Sequence, residues 1–158
     1  MGLDMYLNVR RTTYKPFRRD EAKSPERVLM EQAADSVGLT KVCDILDFIA
    51  VEREVAYWRK ANQVHGWFVA NVQDGRDECQ RSTVEREQLV ELRNLCAELL
   101  ATRDQAQALE QLPPEDGFFF GGTEVDQYYW EDLERTVQQL DKALALPEDV
   151  TYVYQASW

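Results

Sequence analysis

Both ends of this chain alternate between apolar and polar residues. Residues 3–10 read Leu-Asp-Met-Tyr-Leu-Asn-Val-Arg, with Leu3, Met5, Leu7 and Val9 on one side and Asp4, Tyr6, Asn8 and Arg10 on the other. A period of two is the mark of a half-buried strand. Residues 150–157, Val-Thr-Tyr-Val-Tyr-Gln-Ala-Ser, alternate in the same way, and Trp158 follows them. Strands at both ends with helical periods between them do not alternate regularly with helices, so the expected class is α+β rather than α/β. Termini often lie close together, so the first and last strands are expected to be neighbours.

A third strand is expected in the middle. Over residues 46–58, Ile49, Val51, Val55 and Tyr57 fall on one side, with Arg53 as that side's one charged member, against Ala50, Glu52, Glu54 and Ala56. A helix would instead align Val51, Val55 and Trp58. Because β-branched residues recur at period two, the strand is the reading adopted.

The helices announce themselves by caps and stripes. Ser24-Pro25-Glu26 opens one, with Val28, Leu29, Gln32, Ala33 and Val37 as its apolar face and Gly38 as its stop. Ala61, Val64, His65, Phe68, Val69 and Val72 fit a second, ended by Asp74-Gly75. Ser82-x-x-Glu85 reads as a capping box before the stripe Leu89, Leu92, Cys96 and Leu99. A short helix over 104–111 precedes Pro113-Pro114, and Trp130, Leu133, Val137, Leu140 and Leu144 line another that Pro147 closes. Residues 11–23, with Pro16, read as a loop, and Gly117 to Gly122 as a short strand or tight turn. The expected architecture is a single domain spanning 1–158. It holds a small antiparallel sheet of N-terminal, central and C-terminal strands, covered on one face by four or five helices.

Charge narrows the function. Residues 1–60 hold 11 Lys and Arg against 10 Asp and Glu, but residues 61–158 hold 7 against 19. Such an acidic C-terminal part repels nucleic-acid backbones, favours solubility, and suits a basic partner. The three cysteines, Cys43, Cys79 and Cys96, are far apart with no C-x-x-C, so neither a disulfide framework nor a zinc site is expected. No run of apolar residues is long enough for a membrane span, and the N-terminus resembles neither a secretory nor a myristoylation signal; the cytoplasm is the expected compartment.

Three clusters carry residues suited to chemistry. The first is Tyr57-Trp58-Arg59-Lys60-Ala61-Asn62-Gln63-Val64-His65-Gly66-Trp67-Phe68. At a strand-to-helix junction, Arg59 and Lys60 would sit near a helix N-terminus, which already favours an anion. Trp58, Asn62, His65 and Val69 recur at helical steps, so an aromatic, an amide and an imidazole share one stripe beside two cations, and Trp67 lies close by. That set suits a nucleotide or another phosphorylated small molecule. The structural alternative packs Trp58 and His65 in the core and leaves Arg59 and Lys60 as a solvated face. In the second cluster Gly121 and Gly122 let backbone approach a ligand, with Phe119 or Tyr128 stacking on it; alternatively Thr123-x-x-Asp126 simply caps a helix. The third, Arg10 to Arg19, interleaves cations and aromatics, but direct nucleic-acid binding is disfavoured in so acidic a chain and a hairpin loop is expected. No nucleophile–base motif, metal-ligand spacing or cofactor fingerprint stands out, so no catalytic residue is assigned.

The segments Gly2-Leu3-Asp4-Met5-Tyr6-Leu7, Tyr57-Trp58-Arg59-Lys60-Ala61-Asn62-x-x-His65-x-Trp67-Phe68-Val69, Asn71-Val72-Gln73-Asp74-Gly75-x-Asp77-x-Cys79 and Gly117-Phe118-Phe119-Phe120-Gly121 resemble, in this order, a family of small proteins encoded by bacteriophages and prophages. The resemblance covers about a third of the chain and leaves residues 11–48 unmatched. It implies a viral or mobile-element origin and a bacterial cytoplasm, but no activity. Two functions are therefore expected in competition. One is a phage accessory protein that binds a host protein, such as a component of a defence system. The other is a protein that binds or sequesters a small phosphorylated ligand through Trp58, Arg59, Lys60, Asn62, His65, Trp67 and the Gly121–Gly122 loop. A homodimer through surface aromatics, including Tyr154 and Trp158, is a third possibility.

Overall fold

The computed structural model describes residues 2–14, 22–39, 48–117 and 120–158. In chain order these form β1 (Asp4–Tyr14), α1 (Pro25–Ser36), β2 (Phe48–Arg59), α2 (Asn62–Val72), β3 (Ser82–Val84), α3 (Arg86–Thr102), α4 (Gln105–Gln111), α5 (Gln127–Leu144) and β4 (Thr151–Ser157). The fold is α+β, with an antiparallel four-stranded sheet in the order β2-β1-β4-β3. The first and last strands are neighbours, as expected of termini that lie close together. No helix among the described residues is long and apolar enough to cross a membrane.

The described residues fall into two compact units, one from Met1–Val9 with Glu54–Trp158 and one from Arg10–Arg53. In the first unit the core holds Leu3 just before β1, Met5 and Leu7 from β1, Ala56 and Trp58 from β2, and Tyr152, Tyr154 and Ala156 from β4. Against them lie Val64 and Phe68 of α2, the Leu89, Leu92, Cys96 and Leu99 stripe of α3, and Trp130, Leu133 and Leu140 of α5. Burial pushes the Cys96 thiol up to about 12, so it packs as a small apolar group.

Three readings of the first unit need correction. The fully buried positions of β2 are Ala56 and Trp58, while Val55 packs only partly against the core and Tyr57 is exposed. A one-residue change of parity exchanges the faces of a strand, and the bulk of Trp58 decides it: the indole is fully buried and donates to Thr136 Oγ1 at 2.9 Å. Tyr57 faces the other way, 5.4 Å from Tyr6, with its hydroxyl on Asp4. Second, Ser82 does not cap α3. Ser82–Val84 is a strand paired with Tyr152–Tyr154, and the cap lies three residues later, where Glu85 and Gln88 form the reciprocal box. Two overlapping S/T-x-x-E/Q-like patterns compete here, and the ladder to β4 takes the first. Third, Tyr154 is no surface aromatic, since it is fully buried and stacks on Phe68 at 3.9 Å.

In the second unit Ser24 caps α1 and Pro25 starts it, as read from sequence. The helix face differs from expectation. Arg27 and Ala34 are buried, while Val28, Leu29 and Val37 are exposed. Arg27 is drawn in by its partners, donating to Glu31 at 2.8 Å and to the carbonyl of Thr13 at 3.2 Å. Residues 11–14 continue β1 rather than forming a loop, while the basic residues Lys15, Arg18 and Arg19 lie outside the described residues.

Candidate functional site

The end of β2 makes the site. Lys60 takes a left-handed conformation (φ 60), its N–H donates to the Leu3 carbonyl at 2.8 Å, and α2 begins two residues later. This turn separates the run 57–69 into strand and helix, so Trp58 does not share a helical stripe with Asn62, His65 and Val69. Asn62, almost fully buried, is a clamp for the loop opposite. Its Nδ2 donates to the carbonyls of Phe120 at 3.2 Å and Gly122 at 2.8 Å, and its Oδ1 accepts from the Glu115 N–H at 3.3 Å. The clamp lays Gly121 against Lys60, where a Cβ would stand 3.5 Å from the Lys60 Cβ; with φ +101 the position itself favours glycine.

Between this turn and the N-terminal half of α5 lies a pocket of about 400 Å³. Arg59, Lys60, Gln63, Gly121, Gly122, Tyr128, Asp132 and Arg135 are among its walls. Asp126 caps α5 by accepting from the Tyr129 N–H, so Tyr128, Asp132 and Arg135 follow on one helix face at helical spacing. Arg59 and Lys60 put two exposed cations in the pocket's lining, and Glu124, Asp126 and Glu131 are exposed there too. The Arg59 side chain is 61 % exposed and only 3.9 Å from Asp4, and Lys60 forms no ion pair among the described residues. Its buried end is polar and strained. Burial raises the Asp132 carboxyl from 3.8 to about 6, against the opposing pull of Arg135 and the Gln63 amide. Gln63 is 3 % exposed, and its buried Nε2 leans toward the Asp132 carboxyl without completing a hydrogen bond of good geometry. An unpaired buried donor costs about 1–3 kcal/mol.

Of the residues singled out in the sequence, Arg59, Lys60, Asn62, Gly121, Gly122 and Tyr128 line this pocket. Trp58, His65 and Trp67 do not: all three are core. His65, 1 % exposed, is held at both ring nitrogens. Asp77 only accepts, so Nε2–H donates to it at 3.0 Å, and Nδ1 accepts from the Tyr154 hydroxyl at 2.7 Å. Trp158 Nε1 donates to the other Asp77 oxygen at 3.1 Å, and the Phe120 ring meets His65 edge-on at 5.2 Å. Phe119 lies outside the described residues. Gln63, Asp132 and Arg135 escaped the sequence reading. Asp132 and Arg135 stand three apart on the polar face of an amphipathic helix, a pattern that reads as a solvated ion pair.

Among the described residues no group of three or more His, Cys, Asp or Glu side chains is placed to hold a metal ion. The chain matches no protein-family model, no curated protein and no solved structure. The resemblance to phage-encoded proteins is therefore carried by its sequence motifs alone.

Proposed function

We propose that the protein acts by binding, and that its ligand is a small phosphorylated molecule held in the pocket between the β2–α2 turn and α5. The observation that carries this reading is the pair Arg59 and Lys60, weakly paired or unpaired, presented beside the Gly121–Gly122 backbone at the open end of a cavity of ligand size. A phosphate there gains charge-assisted hydrogen bonds from both side chains. The test is a thermal-shift titration with ribose 5-phosphate. The full chain should be stabilised in a concentration-dependent way, and the Arg59→Ala, Lys60→Ala double variant should lose that response while melting normally. An unchanged response in the double variant would reject the site.

A second reading, binding to a bacterial host protein such as a defence component, draws support from the phage-like motifs and from the unit Arg10–Arg53. In that unit Tyr14, Leu29, Val37, Leu39 and Val51 are all more than half exposed. Exposed apolar side chains gathered on one unit favour association. A host protein recovered on immobilised chain should be lost with Leu29→Glu and Val37→Glu together; recovery unaffected by both would reject this surface.

A further inference from the structure

The geometry points to a nucleotide as the ligand of this pocket, its base read at the buried end by Gln63 and Asp132 and its phosphate held at the open end by Arg59 and Lys60. This rests on the pocket being a site for a phosphorylated ligand, and adds what the rest of that ligand must be.

The buried end excludes a second anionic group. Asp132 lies there with its side chain 17 % exposed and Arg135 already 3.8 Å from it, and Glu124, Asp126 and Glu131 also line the cavity, four carboxylates around one cation. A ligand that carried only phosphates would meet these carboxylates as it filled the space. It would also leave the Gln63 amide nitrogen without an acceptor in good geometry. The part of the ligand at this end must therefore be uncharged and carry a donor for Asp132 beside an acceptor for Gln63. An ammonium group supplies the donor but not the acceptor. The edge of a nucleobase supplies both, as an amino or ring N–H next to a ring nitrogen or carbonyl oxygen. Gln63 lines the cavity, so its amide lies beside any ligand that fills this end.

Two further features fit a planar, mononucleotide-sized ligand. Tyr128 stands at the rim, 73 % exposed, where its ring can stack on a base face. The volume of about 400 Å³ lies toward the small end of ligand cavities. The phosphate arm enters through the strand-to-helix turn, where Asn62 holds the Gly121–Gly122 loop in place without spending its amide on the ligand.

The test is isothermal titration of the full chain with AMP, GMP, CMP and UMP, and with ribose 5-phosphate as the base-free probe. At least one nucleotide should bind about tenfold more tightly than the sugar phosphate. Asp132→Asn and Gln63→Leu should each bring that nucleotide close to ribose 5-phosphate, the two ligands being compared within the same variant. Circular dichroism confirms the fold, and Asp132→Asn serves alone if Gln63→Leu unfolds. Equal binding of nucleotides and ribose 5-phosphate would overturn base reading but leave the phosphate site standing. No binding of any probe would overturn both. A short 5′-phosphorylated oligonucleotide should bind more weakly than the mononucleotide, because its further phosphates meet the acidic wall. Tighter binding would mean that the source is a nucleic-acid end and overturn the free nucleotide.

Discussion

Gln63 and His65 stand two residues apart on α2 and are both almost fully buried, yet their polar groups are treated in opposite ways. Around His65 every hydrogen-bonding group has its partner: Tyr154, the imidazole, Asp77 and the Trp158 indole form one chain of donors and acceptors. Around Gln63 the amide nitrogen completes no hydrogen bond of good geometry, and the Asp132 carboxyl it leans toward is held in a setting that disfavours its charge. A closed buried network stabilises and specifies a core. An open one costs stability and persists where something else completes it. By that contrast the lone histidine of the chain, the residue chemistry would pick first, belongs to the architecture, and an unremarked glutamine belongs to the site.

Three variants break or sharpen this contrast. The largest expected effect is on the closed side. His65→Leu strands the Tyr154 hydroxyl and one Asp77 oxygen and should cost about 3 kcal/mol in urea unfolding, while the folded fraction keeps its ligand. A loss below about 0.5 kcal/mol would show that the network is not a structural lock. Next, Arg59→Ala with Lys60→Ala should weaken phosphate-ligand binding by about 2 kcal/mol, roughly thirtyfold, with stability changed by no more than about 0.5 kcal/mol, since both side chains are exposed. Parallel titration and urea melts would separate the two quantities.

The third effect is smaller and has a sign of its own. The folded chain holds the Asp132 proton more tightly than the unfolded chain does, so the penalty is fully present above about pH 6 and fades as pH falls toward the ordinary 3.8. The groups facing this carboxyl are Arg135 and Gln63, which favour its charge, and Glu131 and Asp126, which oppose it. Asp132→Asn should therefore stabilise the protein by about 1–2 kcal/mol near pH 8, a value below the full shift because the side chain is not wholly buried, and by almost nothing near pH 4. Urea melts at the two pH values check it. A gain at low pH, or a loss at high pH, would contradict the strain assigned to this group.

Much of the fold was legible because its signals are local. Leu3, Met5 and Leu7 announce β1 by alternation, the α3 stripe repeats at helical spacing, and Ser24-Pro25 marks the start of α1. What escaped depended on contacts far along the chain. Trp58 fixes the face of β2 through Thr136, and Ser82 joins a ladder with Tyr154, seventy-odd residues away in each case. The site divided along the same line. Arg59, Lys60, Gly121 and Gly122 were visible as cations and glycines at junctions. Gln63 and Asp132 look like any polar helix residues until α2 and α5 are brought together.

The central claim is that the pocket beside the β2–α2 turn binds a nucleotide while the His65 network is only its support. An amide-resolved NMR titration with the tightest-binding nucleotide tests it most directly. Chemical-shift changes are expected at Arg59–Gln63, Gly121–Gly122 and Tyr128–Arg135, with Asp77, Tyr154 and Trp158 nearly still. Changes centred on His65, Asp77 and Tyr154, or none in the pocket residues at saturating nucleotide, would contradict it.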